Sequence, residues 1–203
     1  MEKNMGFDFS SERLQQEAAY IGQLVVAEVL VPMSPRLFPG NEGTLTISCS
    51  DGDQMQNIMM RHWLQCSGRH CHHVIANNGL GLRIAPESSV AKPFESQMWL
   101  DDILLAIELK NLHAISIYGH WPCGVANNAE LTMDEQLGLY SRAKEALLSL
   151  FREKSREIEI LIGLHVDHGG AANPYKELYW FNRHRWGNFL AIDQGNERLG
   201  SSL

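Results

Sequence analysis

Residues Ile115-Ser-Ile-Tyr-Gly-His-Trp-Pro-Cys-Gly124 constrain the fold of this chain more than any other stretch. Ile115 and Ile117 alternate with Ser116, which is the two-residue period of a strand. The pattern breaks at Gly119, and Pro122 and Gly124 hold a turn that presents His120 and Cys123 three residues apart. A tight turn lets an imidazole and a thiolate at that spacing converge on one metal ion. Two ligands do not make a stable zinc site, so a third is expected elsewhere. A second strand exit offers it. Thr44-Leu-Thr-Ile-Ser48 reads as a short strand running straight into Cys49-Ser-Asp51-Gly-Asp53, with the soft ligand Cys49 two residues from the hard ligand Asp51. In an open parallel sheet, loops of this kind meet in the crevice outside the carboxyl ends of two neighbouring strands, where the strand order reverses.

The rest of the chain supplies a sheet and helices to carry those loops. Residues Ser10 to Val31 read as a helix, with Leu14, Ala18, Ile21, Val25 and Val29 forming an apolar stripe. Pro32, Pro35 and Pro39 end it and give an extended linker, so residues 1–40 are expected to be a helical arm on a single domain spanning 1–203. Behind the first strand, Gln54 to Gln65 reads as a helix and His73 to Ala76 as a second strand. Ser96 to Leu112 follows as a helix with Trp99, Leu100, Ile103, Leu104 and Ile107 inward, and Ala114 to Tyr118 is the third strand. Thr132-Met-Asp-Glu135 has the spacing of a capping box at the start of a helix reaching about Lys154. Ile158 to Val166 is the fourth strand and Leu178 to Phe181 a fifth at an edge. Strand and helix alternate, so the expected class is α/β: a mainly parallel open sheet of four to five strands flanked by helices.

Composition narrows the partners. A chain of 203 residues that is 44% hydrophobic is long enough for a sizeable core. Its net charge of −7 argues against a nucleic-acid binder that works by neutralising phosphates. Met1-Glu-Lys-Asn-Met-Gly6 opens no apolar signal region, and no apolar run is long enough to cross a bilayer. A cytoplasmic protein is the expectation. In that reducing compartment Cys49, Cys66, Cys71 and Cys123 point to metal or redox chemistry rather than disulfides.

Cys49-x-Asp51 behind one strand and His120-x-x-Cys123-Gly124 behind a later one resemble the β-class carbonic anhydrases, which bind zinc through a Cys-x-Asp-x-Arg motif and a His-x-x-Cys-Gly motif. The resemblance runs from about Leu45 to Asp167. It takes in Val74-Ile-Ala-Asn-Asn-Gly79, where the family carries Arg-Asn-Ala-Gly, and Glu159 to Asp167 as the strand that follows. It implies zinc held by Cys49, His120 and Cys123, with Asp51 either as fourth ligand or as hydrogen-bond partner of a zinc-bound water. It also implies a homodimer built through the N-terminal arm; the alternative is that this helix covers its own sheet. Two thiolates and one imidazole leave one tetrahedral position open, and water there loses its proton near neutral pH and attacks a carbon such as that of CO2. The implied function is reversible hydration of CO2, giving bicarbonate, or of a similar small electrophile.

Two positions depart from the family pattern. Asp53 stands where the family has the arginine that holds the motif aspartate off the metal, and Ala76 replaces the arginine of Arg-Asn-Ala-Gly. A carboxylate beside a divalent cation, with no guanidinium to take it, coordinates the cation. The rival expectation is therefore a non-catalytic relative whose closed zinc site joins two loops. Arg61, Arg69 and Arg83 are the alternative partners for Asp51. Two further clusters have metal-ligand composition: Cys66-Ser-Gly-Arg-His-Cys-His-His73, read as a surface loop with incidental histidines, and His165-Val-Asp-His168, read as one side of the fourth strand.

Overall fold

The computed structural model describes residues 7–33, 43–65, 73–169 and 176–200, without the side chains of 53, 61–65 and 193–200. Its elements run α1 (Glu12–Val26), β1 (Leu30–Pro32), β2 (Thr44–Ser48), α2 (Gly52–Gln65), β3 (His73–Ala76), α3 (Leu80–Arg83), α4 (Glu95–Lys110), β4 (Ala114–Trp121), α5 (Gly124–Asn128), α6 (Met133–Glu153), β5 (Glu159–Asp167), β6 (Lys176–Phe181) and α7 (Arg183–Gly200). They build an α/β fold around one six-stranded sheet of order β1-β6-β5-β4-β2-β3. The β3-β2-β4-β5 portion is parallel, and β6 and then β1 add to it antiparallel. Every residue of β2 and β4 is buried, as expected of central parallel strands covered on both faces. The chain leaves β2 towards β3 on one side and returns to place β4 on the other. The strand order thus reverses between β2 and β4, the place where open α/β sheets hold their ligands outside the carboxyl ends of the strands.

Side chains alternate across these strands, so the sheet feeds two separate cores. Leu45, Ile47, Ile115, Ile117, Ile160 and Ile162 face the larger one, which gathers α1, α3, α4 and α6. The smaller one lies on the opposite face, where Tyr118 meets Ile58 of α2, Met33 and Leu178. Tyr118 sits beside Gly163 in the next strand because it leaves no room for anything larger. A methyl placed on Gly163 would lie 2.5 Å from its Cε1.

Several expectations are corrected here. Of the stripe on the first helix, Leu14, Ile21 and Val29 are buried against the chain's own core, Val25 is half-buried and Ala18 is exposed, which matches the alternative of a helix that covers its own sheet. The first helix ends at Val26 rather than Val31. Glu28 turns in the left-handed region and residues 30–32 pair with β6, whose free edge outweighs local helix propensity. A sixth strand results. α7 was not read from the sequence at all, although Asn182 caps it by accepting from the Arg185 N–H at 3.2 Å. Asp134 of α6 ties it to the fold, accepting from Trp186 Nε1 on α7 and from Tyr20 Oη on α1. The capping box at Thr132 and Glu135 is formed as read. The linker prolines 35 and 39, and Cys66 to His72 of the second cluster, lie outside the described residues.

Candidate metal centre

The two ligand-bearing loops meet at the carboxyl ends of β2 and β4. Cys49 follows the last residue of β2. β4 runs three residues further than its alternation suggested, so His120 lies on the strand itself, and Cys123 is the cap residue of α5. The ligand atoms of Cys49, His120 and Cys123 all lie within 4.8 Å of one another, and all three residues are buried. His120 Nε2 is buried with no hydrogen-bond partner. A buried polar nitrogen without a partner is costly. With the sulfurs of Cys49 and Cys123 close by, the His120 imidazole completes a donor set of the kind zinc takes.

The loop after β3 supports this cluster. Asn77 exchanges backbone hydrogen bonds with Ser48 and Ser50, both 3.2 Å, which extends the β2–β3 pairing past the strand ends. Gly79 then donates its N–H to Cys49 Sγ at 3.1 Å. Glycine is required there on two counts: its φ is +65°, and a methyl would lie 2.8 Å from the Val125 side chain. Arg83 fixes the same turn. It donates to Asn77 Oδ1 at 3.0 Å and to the Asn78 carbonyl at 3.2 Å, and pairs with Glu95. As a candidate partner for Asp51 it is thereby corrected, because its donors are spent on Glu95 and this turn. Arg69 and the side chain of Arg61 lie outside the described residues.

The thiols share a proton unequally. Cys49 is pushed down to about 4, first because the Cys123 thiol donates to it; His120 and the Gly79 N–H act in the same direction, against burial. Cys123 is raised, first by the Cys49 sulfur and then by burial, while the N–H groups of Ala126 and Val125 offset part of this. Buried next to both sulfurs, the Tyr140 phenol is pushed well above its usual range, mainly by desolvation. The pair thus favours ionisation at Cys49 and opposes it at Cys123.

Asp51 stands one residue before α2 and its carbonyl accepts from the Met55 N–H. Its partly exposed carboxylate lies 3.6 Å from His120 Nδ1, outside hydrogen-bond range but close enough to interact electrostatically. It belongs to the imidazole's surroundings rather than to the group of converging ligand atoms. His165 pairs in register with His120 across β4–β5, is buried, and lies 3.3 Å from Asn57 on α2. Burial, then His120 and Lys176, push its imidazole down to about 4, so it is neutral. His168 turns away to the Tyr179 hydroxyl. Trp121 packs: its indole N–H donates to Glu17 and its ring meets Phe9 edge-on. Sequence reasoning named Gly79 only as the end of the stretch Val74 to Gly79, without its bond to Cys49, and missed Asn57 and Tyr140 as neighbours of the site. Only Gly79 carried a signal, as the glycine closing the turn after a strand.

No family model matches the chain, and no curated protein matches it in sequence. Among solved structures it is similar to a point mutant of the β-carbonic anhydrase CafD from the filamentous fungus Aspergillus fumigatus. That match has 14% identity over 75% of this chain and 98% of the other, with a TM-score of 0.40. It is also similar to the β-carbonic anhydrase CcaA, at 15% identity over 78% of this chain and 85% of the other, with a TM-score of 0.36. No residue role is carried across from either.

Proposed function

We propose that the chain is a carbonic-anhydrase-like zinc protein that holds the metal through Cys49, His120 and Cys123 and catalyses the reversible hydration of CO2 or a similar small electrophile. The observation that carries this reading is the convergence of two sulfurs and an imidazole within 4.8 Å in a buried site, with Nε2 of His120 left without a partner. When bound, zinc supplies Lewis acidity that makes a nucleophile of water near neutral pH. The remaining work belongs to the protein. The Cys123 thiol, His120 and the Gly79 N–H favour Cys49 as thiolate, and Cys123 gives up its proton when the metal binds. The Asp51 carboxylate, 3.6 Å from Nδ1, favours by its charge a ring orientation that leaves Nε2 to ligate. Asp51 is also the group that takes a proton from, or accepts a hydrogen bond from, the attacking water.

A second reading has Asp51 as fourth ligand, closing a structural site. Two observations favour it: Asp53 occupies the place of the family's arginine, and Arg83 is committed to Glu95. The protein is proposed to work in the cytosol and as a homodimer, with the interface away from the internal stripe of α1. No helix among the described residues is long and apolar enough to cross a membrane.

Metal analysis and stopped-flow CO2 hydration on one purified sample test both readings. About one zinc per chain is expected, lost in Cys49→Ala, His120→Ala and Cys123→Ala. Full zinc retention in all three variants overturns the ligand assignment. Stoichiometric zinc without hydration selects the closed site.

A further inference from the structure

α4 is apolar on two opposite faces. Leu100, Ile103 and Ile107 are buried in the large core. On the other side Phe94, Met98, Leu105 and Leu109 are exposed by 89, 50, 53 and 71%. At 3.6 residues per turn these four positions fall within about 60° of one another, and at 1.5 Å per residue they form a stripe roughly 22 Å long. Large apolar side chains grouped in solvent mark an interaction site; here they form two pairs one turn apart, Phe94 with Met98 and Leu105 with Leu109, with Asp101 and Asp102 between the pairs. Phe94 at the head of the stripe holds a φ of 63° while almost wholly in solvent. For an aromatic residue that conformation is uncommon.

Charge decides what covers the stripe. Asp101 and Asp102 are exposed on its two sides at mid-length, and exposed Glu108 adds a third carboxylate. A second copy of this chain, packed on the stripe about a two-fold axis, would bring both pairs of aspartates to the same level whether the helices ran parallel or antiparallel. Like charges at such an interface oppose association. The same carboxylates oppose an anionic bilayer surface. A single stripe roughly 22 Å long is smaller than the patch of ~800 Å² per partner that a standard interface between globular proteins uses. It fits one helix laid alongside.

We infer that the outer face of α4 docks an amphipathic helix of another protein, with an apolar seam flanked by lysine or arginine. The seam covers Phe94, Met98, Leu105 and Leu109, and the flanking cations pair with Asp101, Asp102 and Glu108. This surface is separate from the metal centre and does not depend on it.

The full-length protein is titrated, by fluorescence anisotropy, with two synthetic helical peptides of about five turns that share one leucine seam. One is flanked by lysines and the other by glutamates. The lysine-flanked peptide should bind at least about ten-fold more tightly and weaken as salt is raised. The double variant Leu105→Glu, Leu109→Glu should lose at least about ten-fold in affinity with an unchanged thermal melt, because both side chains face solvent. Asp101→Lys with Asp102→Lys should reverse the preference between the peptides. Equal binding of both peptides, or binding that survives the double leucine variant, overturns the inference. So does a dimer in sedimentation that Leu105→Glu dissolves, since the occupant is then a second copy. Co-sedimentation with anionic vesicles that the same variant abolishes also overturns it.

Discussion

Gly119→Ala tests how tightly the strand that carries His120 is packed. A methyl on Gly119 would lie 2.4 Å from both Cζ and Oη of Tyr140 and 2.6 Å from Cε2, so the ring must retreat by about 1 Å to restore ordinary contact. That retreat is blocked. Tyr140 is 2% exposed, and the other side of its ring faces Gly81, where a methyl would already lie 2.8 Å from Cε1. The alternative is to displace β4, which moves His120 directly. Overpacking of this kind costs about 1–3 kcal/mol, and a ring wedged between two glycines belongs at the upper end. For a chain of this size that is a fall in Tm of about 6–12 °C. The assay is denaturant unfolding with metal content measured on the same sample; zinc retention should fall with stability. Tyr140→Leu should recover part of the loss, whereas Tyr140→Phe should not, because Cζ remains. Gly138→Ala in α6 is the opposite-sign control. Its methyl would meet nothing nearer than the flexible end of Arg142 at 3.5 Å, so it should stabilise by about 0.5–1 kcal/mol. A Gly119→Ala protein within about 0.5 kcal/mol of wild type would refute the packing argument.

Three further outcomes are expected. Because the Cys49 pKa is pulled down to about 4 and that of Cys123 is raised, zinc uptake near pH 7 should release about one proton per chain, read from binding enthalpies in buffers of different ionisation enthalpy. Release of two would show that Cys49 is not held ionised. His165, pushed down to about 4 from 6.5, binds a proton more readily in the unfolded chain, so the stability of its neutral form is full above about pH 6.5 and fades as pH falls through about 4. His165→Asn should flatten that acid limb, and an unchanged limb would count against the burial argument. If Asp51 closes the zinc, Asp53→Arg should raise CO2 hydration about ten-fold or more at constant zinc by drawing Asp51 into a bidentate pair. A wild type already strongly active in a zinc-dependent way would sink the closed-site reading.

Local pattern determined the parts of this protein whose cause is local. The alternation of Ile115 and Ile117 marked a strand, Thr132 and Glu135 marked a helix start, and the spacing of Cys49, His120 and Cys123 behind strands marked three side chains able to share one ion. Tertiary structure decided whatever depended on a distant partner. Residues 30–32 became a strand because β6 offered an edge, and the stripe of α1 went inward because the sheet's larger face needed a cover. Arg83 went to Glu95 rather than Asp51 because α4 brought that carboxylate to the turn after β3. His165 came to lie beside His120 only through the register of β4 on β5, which no spacing along the chain records. Nor does spacing reveal the thiolate of Cys49. Its lowered pKa is set by Cys123, His120 and Gly79, which reach it from other strands and together outweigh the burial that opposes its charge.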